Sequence, residues 1–162
     1  MGNERIIEKI FECRDVAKLR AWRSNAQRLG AADVEAAAFA QLILVMPEAE
    51  PGTLDHALWR TVYAFEEVLR EERGKTILLS RTRQKIKRAG AKQTLIDWAL
   101  SDAETDGFAM LRTRSMLYLA GEAIVLRFAD QFEPEIVAAA RGRFELNGLS
   151  AEEIQTLADW EG

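Results

Sequence analysis

One stretch of the chain has residue types and spacing that point to a definite chemistry. From Arg73 to Ile96 there are eight cations, Arg73, Lys75, Arg81, Arg83, Lys85, Lys87, Arg88 and Lys92, and no acid. The whole chain carries 22 Lys and Arg against 26 Asp and Glu, a formal net charge of −4. A mildly acidic protein that gathers over a third of its cations in this one segment presents a site for an anionic partner. In the run RTRQKIKR (81–88), helical spacing sets Arg81, Lys85 and Arg88 on one face and Arg83 and Lys87 on an adjoining one. Only Ile86, flanked by Thr82 and Ala89, is left to anchor such a helix inward. Cations in this arrangement neutralise phosphates, and Gln84 and Gln93 are amides suited to base edges. The expectation is a nucleic-acid site, for duplex DNA foremost, built from Arg81, Arg83, Gln84, Lys85, Lys87, Arg88, Lys92 and Gln93.

A competing use for the same charge is internal pairing. The acidic segment before it holds Glu66, Glu67, Glu71 and Glu72, and a connector of about five residues would let the two helices run antiparallel. From Glu66 to Lys92 there are nine cations against those four acids, so five positive charges remain over. The rival to nucleic-acid binding is therefore a helical interaction or adaptor module whose charged patches dock protein partners. The sequence pI near 5.2 favours that rival.

Other chemistries find little support. Gly74-Lys75-Thr76 resembles the tail of a phosphate-binding loop, but the glycine required five positions earlier is Leu69, inside a helical pattern. His56 is the single histidine and Cys13 the single cysteine, which excludes an internal disulfide and leaves no zinc set between them. His56 reads as an exposed residue in a first helical turn, and Cys13 as a small buried one. The acid pairs Glu66/Glu67, Glu71/Glu72 and Glu152/Glu153 are adjacent on helices, so each pair diverges by about 100° rather than converging on a metal. Glu67 and Glu71 share a face and read as solvated charge. No catalytic residue, metal site or cofactor is expected.

The elements that must position the basic segment are helical throughout. Asn3, Asp15, Asp33, Thr53 and Ser80 stand where N-caps belong. Gly30, Gly74, Gly90 and the pair Asn147-Gly148 stand where helices end. VEAAAFAQLILVM (34–46) is apolar nearly all round and reads as a buried central helix, closed by Pro47. A long helix from about 54 to 73 carries Leu58, Trp59, Val62, Phe65 and Leu69 on its inner side, and Trp22, Trp98 and Trp160 are likewise assigned to the core. DAETDG (102–107) is a polar turn, and the chain after it breaks between Ser115 and Gly121. Pro134 suits a first helical position, and Ser150 with Glu153 makes a capping box. Helix, glycine turn, helix over about 80–101 has the outline of a helix-turn-helix pair.

With no sustained period-2 run, the fold class is all-α, an irregular multi-helix bundle. At 162 residues it is read as a single helical domain spanning 1–162. The charged N-terminal stretch and the lack of a long apolar run predict a cytoplasmic protein without a membrane partner. A homodimer is expected, paired through helix 34–46 or the C-terminal helices.

Overall fold

The structure is a computed structural model that describes residues 2–102 and 106–160. All regular elements among these residues are helices. Backbone contacts gather into two compact units, Met1–Glu48 and Ala49–Gly162.

The first unit holds α1 (Gly2–Glu12), α2 (Val16–Leu29) and α3 (Ala32–Val45). Asp15 caps α2 by accepting from the Lys18 amide at 3.1 Å. Gly30, at φ 71°, ends α2, and the next amide, Ala31, returns to the Ala26 carbonyl at 2.9 Å. This turn folds α3 back along α2, and Ile10, Leu19, Ala26, Val34, Ala37, Ala38 and Leu42 close over one another. Gln41 is buried among them and donates to the Cys13 carbonyl at 2.9 Å, satisfying a loop acceptor that has no helical partner. Asn3 does not act as a cap. It lies inside α1 and its amide donates to the Asp33 carboxylate of α3. Asp33 is itself one residue inside α3, which begins at Ala32.

The second unit contains α4 (Leu54–Arg73), α5 (Ser80–Ala89), α6 (Ala91–Leu100), α7 (Asp106–Thr113), α8 (Gly121–Arg127), α9 (Pro134–Leu146) and α10 (Ala151–Ala158). Its centre is α8, whose residues from Gly121 to Leu126 are all buried and which packs against α4, α6, α9 and α10. Gly121 is required there: a Cβ at this position would stand 2.8 Å from the Trp98 indole of α6. Caps fix the ends of the surrounding helices. Thr53 accepts from the His56 amide, Gly74 closes α4 at φ 67°, and Ser150 and Glu153 form the reciprocal box that opens α10. Pro134 is the first residue of α9.

Three arginines donate to carbonyls at helix ends. Arg143 reaches Ser101, and more distantly Trp98 and Ala99, at the end of α6, while Glu122 stands 3.5 Å from its Nε. Arg112 donates to the Asn147 carbonyl after α9, and Arg127 to the Leu157 carbonyl in α10. Such contacts place positive charge where the helix dipole is negative. The polar turn read over 102–107 lies mostly outside the described residues.

Candidate nucleic-acid interface

Helix α5 follows α4 after a six-residue connector and is fixed to it by one side chain. Ile86 is buried, as its isolation in the basic run implies. Beside it Arg83 turns inward. Its Nε donates to Glu66 Oε2 at 2.7 Å and its Nη2 to Oε1, a bidentate pair across 17 residues of sequence. Glu66 is 7% exposed, and its Oε2 also accepts from the Leu79 amide at 2.8 Å, just where α5 begins. The Arg83 guanidinium lies 5.4 Å from the Trp59 ring and 5.2 Å from that of Tyr63. The hydrogen bond that Arg83 donates to Glu66 raises the Arg83 pKa above its usual value, with burial opposing.

Several sequence expectations change here. Arg83 is not on the solvent face but joins α5 to α4. Trp59 is half-buried against that guanidinium instead of lying in the core. Glu67, read as solvated, is buried. His56 is buried at 4% exposure. Ser80 is the first residue of α5, with Leu79 at the cap position and no side-chain cap.

Lys85 and Gln93 are also engaged. Both converge on Asp97 of α6, Lys85 Nζ at 2.6 Å from Oδ2 and Gln93 Nε2 at 2.9 Å from Oδ1. The Lys85 contact, then that of Gln93, holds the Asp97 carboxyl below the usual carboxylate range. What remains of the expected set is Arg81, Gln84, Lys87, Arg88 and Lys92, all exposed. None of their side chains has an ion pair or hydrogen bond to another described residue. At about 100° per residue, Arg81, Gln84, Lys87 and Arg88 lie within an arc of roughly 120° on α5, opposite Ile86.

The bend into α6 brings Lys92 after this arc. Gly90 alone separates the two helices, at φ 90° and ψ 164°, so the break is shorter than the three or four residues of a helix-turn-helix turn. Its carbonyl accepts from both the amide (3.2 Å) and the hydroxyl (2.8 Å) of Thr94, which holds the first turn of α6 against the break.

Behind α5 lies a cavity of about 440 Å³. Leu79 and Thr82 close it on the α5 side, with Phe65 of α4, Trp98 of α6 and Phe108 of α7 making much of the rest. Its lining is largely apolar, and Glu122 there belongs with Arg143.

Sequence reasoning missed a second basic cluster because its members are far apart in the chain. Arg60 of α4 is 9% exposed, and its guanidinium lies 5.9 Å from the Tyr118 ring. Arg127 of α8 is half-buried close by. Helix α3, the route expected for a homodimer, already has Val34, Ala37, Ala38, Phe39, Gln41, Leu42 and Ile43 buried in a single chain. Among the described residues no helix is long and apolar enough to cross a membrane.

The chain matches no protein-family model, no curated protein and no solved structure. Its functional reading rests on these residues.

Proposed function

We propose that the protein binds nucleic acid, duplex DNA foremost, through the outer arc of α5 and the start of α6, as a regulator or an accessory to DNA processing. One observation carries the reading: Arg81, Lys87, Arg88 and Lys92 stay exposed and without a carboxylate partner among the described residues, although the chain as a whole is acidic. The four cations meet phosphate oxygens. Gln84, in the middle of the arc, is the side chain suited to a base edge. Arg83 supports the site from within, because its bond to Glu66 sets how α5 lies on α4.

Fluorescence anisotropy with random duplex DNA over a range of salt concentrations tests the reading. Four phosphate contacts predict a slope of log K against log salt of about −3.6. Replacing Lys87 and Arg88 by alanine flattens it by about 2, with helical content unchanged. The alternative, a helical adaptor that docks a protein partner, is favoured by the net charge of −4. It predicts no duplex or single-strand binding at about 50 mM salt, where non-specific contacts are strong.

A further inference from the structure

The Arg60–Arg127 cluster has a charge imbalance that nothing described in the fold relieves. Arg60 lies on α4, Tyr118 in the short 3-10 turn Leu117–Leu119, and Arg127 at the end of α8. Tyr118 stacks on Trp160 with ring centroids 4.4 Å apart. The Arg60 guanidinium lies against the Tyr118 ring at 5.9 Å, and Arg60 as a whole is more than nine-tenths buried. Yet its Nε is buried without an acceptor, and so is Nη2 of Arg127. Arg127 Nη1 is accounted for by the Leu157 carbonyl at 3.2 Å.

The electrostatics agree with this geometry. Burial lowers the pKa of Arg60, and it lowers that of Arg127 to about 10, with the Arg60 charge adding to the effect. Tyr118 supplies no counter-charge at neutral pH, since burial raises its pKa above the ordinary phenol value. Two guanidiniums thus share a poorly hydrated place with no described carboxylate opposing them, an arrangement that is costly while it stays unpaired. The unused donors, one on each arginine, are of the kind that forms charge-assisted bonds to oxyanions.

We propose that Arg60, Arg127 and Tyr118 form a binding site for a small oxyanion, a free phosphate or the phosphate or carboxylate group of a small molecule. The anion accepts from Arg60 Nε and Arg127 Nη2, beside the Tyr118–Trp160 stack. A duplex backbone is too bulky to reach donors buried this deeply, so the site is separate from the exposed arc of α5 and does not rest on the nucleic-acid reading.

Thermal unfolding in inorganic phosphate, against sodium chloride at matched ionic strength, tests it. Four proteins are compared: the unmodified chain, Arg60→Met, Arg127→Met, and a chain with Arg81, Lys87, Arg88 and Lys92 all changed to alanine. Phosphate at about a hundredfold above its Kd raises the midpoint of the unmodified chain by roughly 5–10 °C over chloride. The four-alanine chain keeps that rise, and both methionine variants lose it. Phosphate changes the total tryptophan emission of the unmodified chain over the same concentrations, Trp160 being one of its four tryptophans. Equal midpoints in phosphate and chloride overturn the proposal, as does a phosphate effect that survives both methionine variants or vanishes with the four alanines. A repeat with adenosine monophosphate and with benzoate then ranks phosphate esters against carboxylates.

Discussion

Arg83 shows how residue type alone misplaces a side chain. In the sequence it is one of five cations in eight residues, chemically equivalent to its neighbours. In the structure it holds a buried carboxylate 17 residues away. No local pattern encodes that choice, because it depends on which side of α4 meets α5. Leu79 offers a faint signal, an apolar residue before the basic run that brings its amide to the same carboxylate. Removing Arg83 leaves Glu66 buried and unpaired, so Arg83→Ala destabilises the fold by about 3 kcal/mol in urea melts. Arg81→Ala, on the exposed arc, stays within about 0.5 kcal/mol. Equal effects of the two would contradict the division of the basic run into a paired and an exposed set.

Asp97 gives a pH-dependent check at the same scale. Its folded-state pKa is depressed by Lys85 and Gln93. Its contribution is therefore present above the ordinary carboxylate range and lost as pH falls through the folded value. An NMR titration of the Asp97 carboxyl shows a midpoint below that of an unperturbed aspartate, and Lys85→Met moves it up. An unchanged midpoint in Lys85→Met argues that the pair does not form in solution.

At the scale of elements, much of the fold was legible because its signals are local. Asp15, Thr53, Gly30, Gly74, Pro134 and the Ser150–Glu153 box occupy the roles their types predict. These work through bonds across three or four residues, which one stretch of sequence contains in full. Asn3 and Asp33 failed as caps because their helices begin one residue earlier, at Gly2 and Ala32, which leaves the two side chains to bond each other across 30 positions. Gly90 was read as a helix end, but its economy was not: one residue at φ 90° does the work of a turn. Any L-residue is strained in that conformation, so Gly90→Ala destabilises by about 1–3 kcal/mol even though open space surrounds a Cβ there. Gly121→Ala acts by a different route, pushing Trp98 away from the α8 contact, and costs a similar ~1–3 kcal/mol. Denaturant melts separate the two through Trp98. The native-state tryptophan emission, to which Trp98 is one of four contributors, changes in Gly121→Ala and stays as it was in Gly90→Ala, and the reverse pattern contradicts both assignments.

For the whole molecule, charge was readable as an amount and not as a distribution. The count of five surplus cations assumed that all four acids pair inside the segment, whereas Glu72 holds Arg114 outside it; Arg81, Lys87, Arg88 and Lys92 remain exposed. Composition could not say that Lys85 would turn to Asp97, nor that Arg60 and Arg127 would meet from α4 and α8. Those encounters follow from helix packing around α8, a property of the folded unit and of no single segment. In the proposed function, the exposed arc of α5, with Lys92, meets a nucleic-acid backbone. Backbone amide NMR during titration with a short random duplex at low salt tests it most directly. Shifts are expected to concentrate in residues 80–93, strongest at Gln84, Lys87, Arg88 and Lys92, and to fade as salt rises. Amides in that segment that stay unmoved while duplex is added, or shifts confined to other helices, would contradict it.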